Sequence, residues 1–176
     1  MRKLKLVEFK RITIEEFRNS EKSPFIIVLD NIRSLNNIGS VFRTADCLIA
    51  EAVYLCGISA TPPHRDIHKT ALGATESVKW KYFEKTLDAI AGLREEGYII
   101  LSVEQTEGSV LLQDFKPEGN KKYALVFGHE VEGVTQKVVN SSDICLEIPQ
   151  FGTKHSFNVS VSAGIVLWDL YSKLHF

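Results

Sequence analysis

The chain is predicted to fold as an α/β protein, with a mostly parallel sheet flanked by helices. Two observations predict this. Short apolar runs of strand length alternate along the chain with segments of helical periodicity. The runs are apolar at consecutive positions, as in strands covered on both faces. The elements follow in order. "TIEEF" (13–17) begins like a capped short helix. "FIIVL" (25–29) is the first strand. "NNIGSVFRTADCLIA" (36–50) has helical spacing, with Ile38, Val41, Phe42, Ala45 and Ile49 on one broad face. "AVYLC" (52–56) is a second strand. A loop rich in Gly, Pro and Thr follows, with one short helix near 66–72. "TLDAIAGLREEG" (86–97) reads as a helix stopped at Gly97, the residue suited to a left-handed terminator. "YIILSVE" (98–104), "YALVFG" (123–128) and "ICLEI" (144–148) supply three more strands, with a short helix in "VTQKVVNSS" between the last two. A final, strongly apolar helix starts near Asn158.

The 176 residues suit one domain, 1–176, with a short basic extension over about 1–23 that carries Arg2, Lys3, Lys5, Lys10 and Arg11. The composition, 44% hydrophobic and 24% charged, is that of an ordinary globular protein. Formal net charge is −1, so an argument for nucleic-acid binding has to be local. Cys47, Cys56 and Cys145 form no C-x-x-C pair, which removes a zinc ribbon or a redox motif and fits buried, reduced thiols. The first residues lack the apolar core of a signal peptide, and no apolar run reaches bilayer length. A cytoplasmic location without a membrane is expected.

Several familiar sites are missing. No G-x-G-x-x-G follows the first strand, which disfavours a dinucleotide-binding oxidoreductase. Gly128 and Gly133 have phosphate-loop spacing, but Val134 and Thr135 replace the required Lys and Ser/Thr. There is no G-x-S-x-G. His64 and His68 enclose Arg-Asp-Ile, not a zinc-protease pattern, and read as a solvated loop. No metal is expected. Three polar segments remain. "DNIRSLNNIGSVFRTA" (30–45) passes from a strand into a helix, where open α/β sheets bind ligands. Its plain alternative is that Asn36 or Asn37 caps the helix, Gly39 packs and Arg43 reaches water. "LVFGHEVEGV" (125–134) sets His129, Glu130 and Glu132 after a strand, and its plain alternative is acids capping a helix. "IPQFGTKHSFNVSVSAGIVLWDL" (148–170) places Lys154, His155, Ser156 and Asn158 at the mouth of a helix apolar nearly all round. One cap accounts for either Ser156 or Asn158, not for the whole set.

These three segments resemble the signature motifs of the SpoU (TrmH) group of RNA ribose methyltransferases, within the SPOUT superfamily. They occur in that family's order, and with "TPPHRDIHKTALGA" the likeness runs from about residue 24 to the end. The resemblance implies an α/β fold with a C-terminal deep trefoil knot, which periodicity could not have revealed. It implies S-adenosyl-L-methionine as cofactor, held through Phe127, Gly128, Ile148, Gln150 and Phe157. That cofactor carries no phosphate, which accounts for the missing glycine-rich cradle. It further implies a homodimer through the last helix, consistent with an apolar surface that a monomer covers with difficulty.

The implied reaction is methyl transfer to a ribose 2′-hydroxyl, with Arg43, Asn37, Glu130, Ser156 and Asn158 as the catalytic set. Alignment of the reacting atoms can contribute roughly 7–11 kcal/mol. The hydroxyl must lose its proton, and the resemblance makes Arg43 the activating residue. A guanidinium loses a proton only above a pKa of about 12, so a charged Arg43 stabilising the developing alkoxide stands beside the family's arginine base. Asn37 would orient Arg43 or the ribose, Glu130 would fix the site across the knot, and Ser156 and Asn158 would hold phosphate or ribose oxygens. Two positions depart from the pattern: Phe157 replaces the usual leucine, and His129 stands where asparagine is frequent. The expected partner is RNA, tRNA before rRNA, with a guanosine as target. The cations at the start of the chain and His64, Arg65, His68 and Lys69 are the basic groups available. The alternatives are an rRNA target and a non-catalytic RNA-binding or ribosome-assembly homologue.

Overall fold

The structure is a computed structural model that describes residues 1–5 and 8–176. Leu6 and Val7, in the expected basic extension, lie outside the described residues. Seven strands form one parallel sheet: β1 (Ser23–Asp30), β2 (Ala50–Cys56), β3 (Lys79–Phe83), β4 (Tyr98–Val103), β5 (Val110–Leu111), β6 (Lys122–Phe127) and β7 (Ile144–Glu147). Their order is β3-β2-β1-β6-β4-β7-β5. The helices are α1 (Ile14–Asn19), α2 (Leu35–Cys47), α3 (Arg65–Ala71), α4 (Ala74–Ser77), α5 (Thr86–Glu95), α6 (Gln136–Asn140) and α7 (Val159–His175). Among the described residues, no helix is long and apolar enough to cross a membrane.

Pleating sorts the strand residues between two cores. Ile27, Leu29, Val53, Leu55 and Leu125 pack with Ile38, Val41 and Phe42 of α2 and with Val166, Leu167 and Leu170 of α7. Ile26, Val28, Tyr54, Ala124 and Val126 point the other way, onto Ile90 and Leu93 of α5 and Val138 of α6. Burial on both faces is why the central strands read as continuous apolar runs. Phe17 of α1 is buried in the first of these cores.

The parallel sheet and the five expected strands are present. β3 and β5 are additional. β3, "KWKYF", alternates lysine with aromatic residues at the sheet edge and is almost wholly exposed, so it lacks the apolar run that marks the others. The helix expected over 36–50 ends earlier, at Cys47: Leu48 caps it, and Ile49 takes a left-handed φ of +52° as the chain turns into β2 at Ala50.

 Of the three cysteines expected to be buried, Cys56 is buried, Cys145 is half-buried and Cys47, in the last turn of α2, is exposed. Neither Asn36 nor Asn37 caps α2. Ser34 does, accepting from Asn37 N at 3.4 Å, because the helix starts one residue before the expected span. Glu130 and Glu132 do not open a helix either; they lie in a turn before α6, whose first residue is Gln136.

Gly39 lets α2 lie directly on α3. A Cβ there would overlap the Ile67 carbonyl and the Thr70 hydroxyl, and the Thr70 hydroxyl donates to the Asn36 carbonyl at 3.0 Å. Close approach of two backbones is a use that only glycine serves.

Candidate functional site

A cavity of about 430 Å³ opens at the carboxyl ends of β6, β4 and β7. That is the end of an open parallel sheet where ligands bind, and the size falls within the usual range for small-molecule pockets. The segment after β6 forms its lip. His129 N donates to the Gly133 carbonyl at 3.0 Å, and Gly133 N donates to the His129 carbonyl at 2.9 Å. Gly128 and Gly133 are there for this fold-back, not for a phosphate. A Cβ on Gly128 would overlap the Gly133 and Val134 backbone, and Gly133 has φ +71°. His129 Nδ1 accepts from the backbone N–H groups of Val131 and Glu132, at 3.2 and 3.3 Å, which fits its place inside the turn.

The turn aims Glu130 at the start of α2. Its carboxylate accepts from Ser34 N at 2.9 Å, from Arg33 N at 3.1 Å and from Asn37 Nδ2 at 3.0 Å. A negative charge thus sits at the N-terminus of a helix that belongs to another part of the chain. Burial pushes the Glu130 carboxyl up, but the donors from Ser34, Arg33 and Asn37 outweigh it and hold the group below the ordinary carboxylate value. Asn37, buried on α2, passes the connection on: its Oδ1 accepts from Asn158 Nδ2 at 3.2 Å. Asn158 Oδ1 caps α7, accepting from Ser160 N at 2.9 Å and Ser160 Oγ at 2.7 Å. Glu130, Asn37 and Asn158 therefore form one clasp across three segments, in which Asn37 meets partners 93 and 121 residues away in sequence.

The expected site residues separate into three groups. Phe127, Gly128, Ile148, Gln150 and Phe157 all line the cavity, as do Glu130, Ser156 and Asn158. Asn37 meets them through the clasp. Arg43 does not line the cavity: it is exposed, six residues or about 9 Å of helix rise beyond Asn37. Asn158 answers part of the question that its segment raised, since one side chain both caps α7 and ties it to α2.

Glu104 was missed. It follows β4, lines the cavity, and its Oε2 accepts from Val134 N at 2.8 Å while Oε1 accepts from Gln105 N at 3.0 Å. It pins the far end of the Gly128–Val134 turn. The legible signal was an acid directly after an apolar strand, at the end of the sheet where sites lie. Among the described residues, no group of three or more His, Cys, Asp or Glu converges as a metal cage.

The fold and clasp define an α/β domain with a small-molecule cavity at a parallel sheet's carboxyl edge. The SpoU rRNA methylase family model matches residues 24–168, and the chain belongs to that family. It is 32% identical over 149 residues to the 23S rRNA (guanosine-2'-O-)-methyltransferase RlmB of Neisseria meningitidis, covering 85% of this chain and 58% of that protein. It is 26% identical over 169 residues to the tRNA (guanosine(18)-2'-O)-methyltransferase of Borreliella burgdorferi, covering 96% of this chain and 76% of that one. In fold it is similar to the AdoMet-bound rRNA methyltransferase of Sinorhizobium meliloti, with a TM-score of 0.81 at 23% identity over 91% of this chain and 61% of that one. The chain spans about 60% of the length of some curated relatives that it matches.

Proposed function

We propose that the chain is an S-adenosyl-L-methionine-dependent RNA 2′-O-ribose methyltransferase that acts on tRNA, at a guanosine. The observation that carries this reading is the Glu130–Asn37–Asn158 clasp at the rim of the cavity. It joins the three segments that the family's signature motifs occupy. The cavity also fits the cofactor's chemistry. Phe127, Leu146, Ile148 and Phe157 offer apolar walls for a nucleoside, while Glu104, Glu130 and Glu132 give an acidic lining suited to a cationic ligand. When bound, S-adenosyl-L-methionine supplies an electrophilic methyl group; the protein supplies position and electrostatics.

In this reading Glu130 and Asn37 hold the N-terminal end of α2 against the cavity, and Ser156 offers a free hydroxyl to ribose or phosphate. Asn158 contributes mainly through the clasp, since its Oδ1 is committed to α7. Arg43, cationic, stabilises the alkoxide that forms as the 2′-hydroxyl loses its proton. It stands outside its own chain's cavity, so the proposal includes a homodimer through α7, which packs beside α2. The C-terminal segment threads as a deep trefoil knot, and the single domain works in the cytoplasm. An rRNA target is the second reading, favoured by the higher identity to the relative named for 23S rRNA.

The test is methyl transfer from labelled cofactor into unmodified tRNA and rRNA pools, with the product nucleotide mapped by mass spectrometry. A 2′-O-methylguanosine in tRNA is expected. Cofactor binding by calorimetry without incorporation into either pool overturns the catalytic reading.

A further inference from the structure

The geometry points to a docking surface for a single-stranded segment of the RNA substrate, built around Trp80 on the edge strand β3. This inference rests on the RNA-directed function proposed above and adds where the RNA is gripped. Trp80 lines two grooves at once, of about 560 and 480 Å³, and is itself 36% exposed. One groove lies between β3 and the loop that opens α3, with Pro62, Pro63 and Ile67 as apolar wall. The other runs along β2 and β3, where Lys81 Nζ stands 5.5 Å from the centre of the Tyr54 ring.

The charge of this surface runs against that of the whole chain. The net charge is −1, yet the two grooves are lined by Arg18, Arg65, Lys79 and Lys81 against only Glu51 and Glu76. Glu51 is engaged, accepting from the Tyr98 hydroxyl at 2.5 Å. An indole between two cation-rimmed grooves combines a base-stacking platform with a track for phosphates. Stacking on a side chain needs an unpaired base, which selects a single-stranded segment over a duplex. Exposed lysines on both sides of Trp80 resist the pairing of another protein strand to this edge, so RNA fits the surface better than a protein strand. The surface is also coupled to the site: α3, which carries Arg65, packs on α2 through Gly39, and α2 carries Asn37 and Arg43.

The chain has two tryptophans, so a Trp168→Phe background reports Trp80 alone. Titration with an unmethylated single-stranded oligonucleotide and with unmodified tRNA is expected to quench that fluorescence. Trp80→Ala should weaken RNA binding by about 5- to 150-fold, with Trp80→Phe restoring part of it. Arg65→Ala and Lys81→Ala should each lower the salt slope of binding by about one. All four should keep cofactor affinity in calorimetry. Charge reversal, Arg65→Glu with Lys81→Glu, gives a second test that leaves the Trp80 packing intact. RNA binding without quenching, or unchanged in the Trp80→Ala and charge-reversal variants, overturns the inference while leaving the methyltransferase reading in place. Quenching by RNA with no methyl transfer by the parent protein supports the surface and sinks that reading instead.

Discussion

At the scale of single residues, Glu130 is an anion whose donors from α2 and its approach are two backbone N–H groups and one side-chain amide. Because its native pKa lies below the ordinary value, its stabilising contribution is full above about pH 4.5 and is lost as pH falls through the lowered native value. In Glu130→Gln, the carboxamide N–H₂ would face the Ser34 and Arg33 donors. The variant should melt below the parent at pH 7, and the gap should narrow as both are titrated down from pH 4.5 through the lowered native value; a gap independent of pH would remove the carboxylate from this account. Asn37→Ala leaves the half-buried Glu130 and the exposed Asn158 each without one partner, and each lost hydrogen bond costs about 0.5–1.5 kcal/mol in chemical denaturation. Arg43 is different in kind. It is exposed and lines no part of the cavity, so Arg43→Ala should abolish turnover while the cofactor's Kd in calorimetry and the melting temperature stay at the parent's values.

At the scale of elements, glycine sets how closely the helices approach. Gly39→Ala puts a methyl against backbone, the Ile67 carbonyl, so α2 must lift from α3 or α3 must shift. Overpacking of this kind costs typically about 1–3 kcal/mol, and a lowered denaturation midpoint at unchanged m-value would register it. How much of this was legible depended on the element. The central strands were readable because burial on both faces leaves no polar position in them, as in Ile26–Leu29. β3 escaped because an edge strand with one partner can afford lysines at alternate positions. Ser34 escaped as the cap because the asparagines two and three residues on, Asn36 and Asn37, carry the same capping signal. The residues around the cavity were legible only through the family's motifs. Periodicity places Glu130 and Asn158 in loops or at a helix end, and nothing in their spacing states that they meet at Asn37. Glu104 fell outside the motifs and was lost for that reason.

At the scale of the whole molecule, α7 presents two apolar faces with different fates. Ala163, Val166, Leu167 and Leu170 are buried against the sheet and α2, whereas Val161 and Trp168 on the outer side are 48% and 56% exposed. Trp168 stacks over Tyr171 at 6.2 Å, and Tyr171 lies 4.3 Å from His175, which makes an aromatic stripe along the last turns. A stripe of that kind marks an interaction surface, and a twofold pairing of α7 with itself needs only one such patch on each copy. Trp168→Glu would set two carboxylates against each other across that contact without touching the buried face. The variant should sediment as a monomer where the parent sediments as a dimer, with the fold retained by circular dichroism. Because Arg43 stands apart from its own cavity, the proposed dimer also carries a kinetic consequence: the monomeric variant should still bind cofactor but transfer no methyl. If it turned over at the parent's rate, Arg43 would have to act within one chain, and the dimer would lose its role in the chemistry.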